Sequence, residues 1–205
     1  MTKNRYTSVI VFALVLFAWS VGASAESEMT QQQKDSVVAM MMQLAQPGPE
    51  HELLQSLTGK WHQEVKLWMA PGSDPMVFTG MSVNESLLGG RFLQMTSNSG
   101  EGMFATESLN IIGFDRRNNK FTTVGFDTWG TYFVTASGDY DDESRKITMY
   151  GEDFDPIAGF TQKFDIVVEL IDETKFMWSV VFKDEFHTGG GPDFKMVEVT
   201  YTKTE

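Results

Sequence analysis

Two hydrophobic periods divide the chain. Between residues 28 and 46 the apolar side chains Val37, Met40, Met41, Leu44 and Ala45 fall at i, i+3, i+4, i+7 and i+8, the stripe of an amphipathic helix. Thr30-Gln31-Gln32-Gln33 supplies a capping box at its start and Pro47-Gly48-Pro49 its stop. A second, short helix begins with Pro49 in its first turn, carries Leu53, Leu54 and Leu57, and ends at Gly59, where glycine suits a left-handed cap. From Trp61 onward the period becomes two. Trp61, Val65, Leu67 and Met69 alternate with His62, Glu64 and Lys66, and Pro71-Gly72-Ser73-Asp74-Pro75 makes the first turn. Strands are then predicted over 77–88, 91–99, 102–115, 120–127, 130–140, 146–154, 159–171, 174–184 and 194–203, each reaching the next through a short polar or glycine-rich turn such as Gly89-Gly90.

About ten strands in a meander, with no helical crossover to join parallel neighbours, predict an all-β antiparallel fold. Closing the meander into an up-and-down barrel removes its two edges, and a barrel of eight or more strands is wide enough to enclose a ligand. A two-sheet sandwich is the structural rival. Nothing in 48–205 reads as a linker, repeat or low-complexity tract, so one domain is expected there.

The first 25 residues change the picture of where the protein works. Lys3 and Arg5 form a basic start, Val9 to Trp19 an apolar run, and Ala23-Ser24-Ala25 a small-residue cleavage site. That is the pattern of a secretory signal, too short to remain as a membrane span. The expected organisation is therefore a cleaved signal peptide over 1–25, the amphipathic helix over 26–46 and a barrel over 47–205, with the mature protein periplasmic or secreted and without an integral membrane segment. The chain has no cysteine, so a lipid-anchored lipoprotein is excluded, and the fold relies on its core without disulfides. A mature length of about 180 residues suffices for that. The formal net charge is −12 and becomes more negative when Lys3 and Arg5 leave. An acidic field without a basic stripe repels phosphate, which argues against nucleic acid as a partner.

Gly59-Lys60-Trp61 at the first strand resembles the signature of the calycins, the lipocalin-like barrels, in which the Trp plugs one end and a basic residue packs over it. Lys203 and Arg91 are the two candidates for that basic residue. A wider pattern surrounds the tripeptide: Pro47-Gly48-Pro49-Glu50-His51, Leu53-Leu54, Asn84-Glu85, Leu88-Gly89-Gly90-Arg91-Phe92-Leu93, Gly113-Phe114-Asp115, Asp155-Pro156 with Gly159, and Val197-Glu198-Val199-Thr200-Tyr201-Thr202. Over about residues 47 to 203 this resembles the bacterial family known as domain of unknown function 1579. The resemblance implies a lipocalin-like barrel and carries over no catalytic residues. The helix at 28–46 stands outside the shared pattern.

With Trp61 inward, period two sends Gln63, Val65, Leu67 and Met69 inward as well. The more apolar parity of later strands adds Tyr132, Val134 and Ala136, then Phe164, Ile166 and Val168, then Phe176, Trp178, Val180 and Phe182. The expected function is a binding protein for a hydrophobic small molecule, oriented by Gln63, Glu85 or Arg91. A packed interior without a cavity is the competing expectation. A barrel isomerase or cyclase, with Glu85 near Arg91 and Tyr132 opposite, is the enzyme alternative, and an envelope protein-interaction module is the third. No cofactor or metal is expected. The thirteen Met residues suit core gaps and a helix face, since no Met-x-x-Met array with His accompanies them. His51, His62 and His187 lack zinc-site spacing. The haem-binding nitrobindins, similar in barrel type, use a His as axial ligand. His187 is the candidate here, and its loop position predicts surface exposure. The acidic clusters at 139–143 and 152–155 lack calcium-loop spacing and read as solvated turns.

Overall fold

The computed structural model describes residues 29–204, so the expected signal peptide lies outside the described residues. Helix α1 (Gln31–Leu44) starts with the capping box read from the sequence. The Gln33 amide donates to Thr30 Oγ1 at 3.3 Å and the Thr30 amide to Gln33 Oε1 at 2.8 Å, which satisfies two of the helix's unpaired amides. No residue of α1 is buried. Among the described residues no helix is long and apolar enough to cross a membrane.

Helix α2 (Pro49–Gln55) follows with Pro at its first position, Gly48 as N-cap and His51 returning its Nδ1 to accept the Gly48 amide at 3.0 Å. His51 is thus a buried capping group. Leu54 and Leu57 are buried in the same core, and Gly59 at φ 126 turns the chain into the first strand.

Ten strands then run β1 (Gly59–Leu67), β2 (Met76–Leu87), β3 (Phe92–Ser99), β4 (Thr106–Asp115), β5 (Lys120–Asp127), β6 (Val134–Asp141), β7 (Lys146–Asp155), β8 (Phe160–Asp172), β9 (Lys175–Phe182) and β10 (Phe194–Lys203). Each pairs antiparallel with its sequence neighbour, and β1 pairs with β10 from Trp61↔Lys203 to Leu67↔Val197, closing the sheet into an up-and-down barrel. The expected calycin-like all-β barrel is what forms. Closure leaves neither β1 nor β10 with an unpaired edge.

Two predicted strands begin later than expected. Residues 102–104 form a turn of 3-10 helix, because Gly100 and Gly102 adopt left-handed backbone (φ 73 and 59). A Cβ at Gly100 would meet the Phe104 carbonyl. Residues 130–133 are a loop: the Tyr132 ring folds back over Gly130, and the pleat starts only at Val134.

Candidate functional site

Register fixes which side chains share the barrel interior. Opposite Trp61 stand Ser82 and Lys203, opposite Gln63 stand Gly80 and Tyr201, and opposite Val65 stand Phe78 and Val199. The same alternation carries Leu93, Met95 and Ser97 of β3, Ser108, Asn110 and Ile112 of β4, and Phe121, Thr123 and Gly125 of β5 inward. It continues with Val134 and Ala136 of β6, Ile147, Met149 and Gly151 of β7, Phe164, Ile166 and Val168 of β8, and Phe176, Trp178, Val180 and Phe182 of β9.

The end of the barrel at Trp61 is sealed. Trp61, Phe176, Phe121, Leu93, Ile112, Ile147 and Val168 are all within 1% of complete burial. Phe176 meets Trp61 edge-on at 4.7 Å and stacks on Tyr201 at 4.1 Å. Lys203 Nζ lies 5.3 Å from the Trp61 ring centre, so Lys203 is the basic residue over the plug. Toward the other end, the mouth, the inward residues Val65, Leu67, Ser99, Ser108, Asn110, Val134, Val180 and Val197 are only partly buried. These residues lie at the mouth end of their strands and keep partial contact with solvent there.

The upper lumen has two unlike walls. Its β1–β5 side carries the uncharged polar Gln63, Ser82, Ser97, Ser108, Asn110 and Thr123 beside the apolar Val65, Leu67 and Phe78, while its β6–β10 side presents Val134, Ala136, Phe164, Ile166, Val180, Phe182 and Val199. Small and large residues interlock at the wall. A Cβ on Gly151 would strike the Phe164 ring at 2.4 Å, and one on Gly125 would strike Asn110 Oδ1 at 2.6 Å. Charged side chains at inward positions stay at the two ends, with Lys203 under Trp61 and Asp127 and Asp153 at the rim.

A directed chain of hydrogen bonds forms the floor. Leu57 O accepts from both Trp61 Nε1 (3.0 Å) and Asn84 Nδ2 (2.9 Å). A carbonyl only accepts, so Asn84 must turn its Oδ1 to Ser82, which donates to it at 2.7 Å. Ser97 in turn donates to Ser82 at 3.1 Å, and Gln63 Nε2 donates to Ser97 at 3.1 Å. The direction set at Leu57 thereby fixes the Gln63 amide with Oε1 at the upper end, where it has no partner although the residue is buried. Beside it, burial pushes the Tyr201 phenol up to about 12, against the opposing pull of Gln63 and Ser97, and keeps it neutral.

At the mouth, the β9–β10 connection contains a one-turn helix α3 (Glu185–Thr188) capped by Asp184. The buried Asp184 carboxylate accepts the His187 amide at 3.0 Å and the Lys163 amide at 3.1 Å. His187 Nδ1 lies 2.8 and 3.0 Å from its two oxygens. Burial pushes the Asp184 carboxyl up, but the two amides and the ring outweigh it and hold it below the usual carboxylate value. The imidazole stacks on Phe182 at 3.8 Å, with Phe186 and Phe160 at 5.3 and 5.8 Å. The expected surface position for His187 is therefore corrected: it is half-buried because its loop folds into a helical turn against the lumen wall.

Two clefts lie on the outside. One of about 570 Å³ runs along β3–β7 over Phe92, Ile111, Val124 and Tyr150. The other, of about 650 Å³ near the sealed end, is bounded by Met41, Leu44, Phe114, Arg91 and Arg116. Its arginines are occupied: Arg91 Nε donates to Ala45 O at 3.0 Å, and Arg116 Nη1 to Gln43 O and Gln46 O at 2.8 and 2.9 Å. They satisfy carbonyls left open where α1 ends.

The barrel, its plug and the α2 entry coincide with the extent of a family model described as Protein of unknown function (DUF1579), which matches residues 46–203. The chain belongs to the DUF1579 family. The match takes in α2 and all ten strands and leaves α1 outside. No curated protein matches the sequence.

In this DUF1579 barrel Gln63, Val65, Leu67, Phe164, Trp178 and Phe182 occupy inward positions, as read from the sequence. Four other expected site residues do not line the lumen. Met69 follows the end of β1 and is exposed. Glu85 is exposed on the outer face, because its neighbours Ser82 and Asn84 take the inward positions of β2. Arg91 sits in the β2–β3 turn at the sealed end, bonded to Ala45 and Leu88. Tyr132 is exposed in the β5–β6 loop at the mouth. The Glu85–Arg91–Tyr132 acid–base group therefore does not assemble. Sequence reading missed the polar wall for the same reason that it misplaced Glu85. In β2 the apolar Val77, Met81 and Val83 face out and are exposed, while Gly80, Ser82 and Asn84 face in.

The acidic clusters are turns. Asp141 accepts the Glu143 amide and Asp155 the Ile157 and Ala158 amides. Among the described residues no group of acidic or histidine side chains is placed to hold a metal ion.

Proposed function

We propose that this protein binds a neutral, largely apolar small molecule with one polar edge in the upper half of its barrel. The observation that supports it is the uneven placing of inward polar side chains, since Gln63, Ser97, Ser108, Asn110 and Thr123 gather on β1–β5 beside Val65, Leu67 and Phe78, whereas Val134, Ala136, Phe164, Ile166, Val180 and Phe182 on β6–β10 are aliphatic and aromatic. Burying Gln, Ser, Asn and Thr side chains inside a barrel is costly unless each finds a partner. A scaffold would fill those positions with hydrocarbon. A ligand with hydroxyl or amide groups along one edge meets the polar wall and lays its apolar face on Phe164, Val180 and Phe182. Charged ligands fit poorly, since no opposite charge stands in the lumen to offset desolvation. Export belongs to the same proposal and rests on the sequence pattern of residues 1–25.

Native mass spectrometry of the mature protein, purified without denaturant from the cells that make it, tests this reading. The expected result is an added small-molecule mass at one copy per chain, released by organic extraction as a neutral compound. A bare polypeptide mass, with no uptake of added neutral aromatic or lipid-like compounds, contradicts it.

A further inference from the structure

His187 is used by neither the fold's core nor the binding wall, yet it is held with care. Its Nδ1 faces both oxygens of a buried carboxylate, at 2.8 and 3.0 Å. A carboxylate only accepts, so the ring proton belongs on Nδ1 and the lone pair on Nε2. Among the described residues no hydrogen bond reaches Nε2, and it is not among the buried unpartnered atoms; the side chain keeps 18% of its surface exposed, so Nε2 retains contact with solvent. The ring cannot swing freely, because it lies flat on Phe182, tilted by 18°, and has Phe160 and Phe186 beside it. Phe182 is itself an inward residue of the apolar wall. A buried carboxylate, an imidazole fixed in one tautomer and an apolar platform leading to a lumen are the parts a proton-abstracting site requires.

We propose that His187, positioned by Asp184, is a general base at the barrel mouth that removes a proton from a neutral, apolar-bodied substrate bearing an acidic C–H or O–H. The substrate is of the class proposed for the lumen, so the inference rests on that reading. Asp184 acts through His187 as a positioning residue. Its carboxylate also stabilises the imidazolium that forms when Nε2 takes the proton.

A neutral probe, 5-nitrobenzisoxazole, tests it. Nε2 removes the C3 proton, the C–H pair forms the nitrile as the N–O bond breaks, and the oxygen leaves as the coloured phenolate of the same molecule. The imidazolium then returns its proton to water. No oxidant or co-reactant is needed. At pH 8, where free imidazole is neutral, the wild-type protein is expected to open the probe about 100-fold faster per histidine than free imidazole, the scale of positioned acid–base catalysis. His187→Phe keeps a ring stacked on Phe182 and removes the base, so turnover should fall to background while probe affinity, read by calorimetry, is retained. Asp184→Asn keeps one oxygen to accept the His187 amide of the helix cap, gives up the bond from the Lys163 amide, and should lower kcat about tenfold or more with little change in KM. Wild-type turnover no faster than free imidazole, or turnover unchanged in His187→Phe, overturns the base with binding intact. Absence of any probe binding to the folded wild-type protein overturns the binding reading and the base together.

Discussion

Truncating Trp61 to alanine removes a fully buried indole, its bond to Leu57 O and its edge contact with Phe176. The expected cost is about 3–5 kcal/mol, measured as a lower urea midpoint at unchanged slope. Lys203→Met, which removes only a cation over the ring, should cost less than about 1 kcal/mol. The hydrogen-bonded floor supplies a sharper contrast. Asn84→Ala strands Ser82's proton and frees one acceptor site on Leu57 O, for about 1–3 kcal/mol. Gln63→Leu loses one donated bond to Ser97, which still donates to Ser82, but also removes a buried acceptor that has no partner, so its stability cost should be smaller than that of Asn84→Ala. At this scale the sequence was legible where one side chain has one job. Trp61 is marked by the glycine before it and the period after it. Glu85 was misplaced because the inward parity of β2 is polar, and apolar-inward reasoning inverts a strand whose inner face lines a lumen.

Strand and turn limits were legible to within a few residues because period two and turn residues agree along most of the barrel. They failed at 102–105 and 130–133, where glycine conformation and a ring folded on Gly130 override alternation. Five strand-to-strand connections use one device: Asp115, Asp127, Asp141, Asp155 and Asp172 each end a strand and accept the backbone amide two residues on. The carboxyls of Asp115, Asp141, Asp155 and Asp172 are held below their ordinary value, with Asp115 down to about 2 chiefly through Arg117. Because the folded values are depressed, the turns' contribution is present above the unfolded carboxylate value and is lost as pH falls through the folded one. The melting temperature should therefore decline from about pH 4 toward pH 2. Asp115→Asn should flatten part of that decline, and an unchanged acid limb in that variant would contradict the assignment. Between β6 and β7 the backbones approach so closely that a Cβ at Gly138 would strike the Thr148 carbonyl. Gly138→Ala is expected to cost about 1–3 kcal/mol, as overpacking does.

The ten strands form a barrel sealed at one end by its own plug, with partly buried inward residues at the other. That uneven placing of polar side chains could not be read from the chain, since it arises from register around a closed sheet: the inward Gln63, Ser97, Ser108, Asn110 and Thr123 all fall on β1–β5, and β6–β10 bring aliphatic and aromatic residues opposite them. The account depends on the upper lumen being space for a ligand. Ser108, inward and half-buried on the polar wall, is the position at which that can be asked directly. Calorimetric titration of 1-naphthol, a neutral ring with one hydroxyl, into the wild-type protein and into Ser108→Phe is the most direct measurement. The expected result is saturable one-to-one binding to the wild type and its loss in a Ser108→Phe variant that keeps the wild-type circular dichroism and melting temperature within a few degrees. No saturable heat with the wild type, or equal binding by both proteins, would contradict the account.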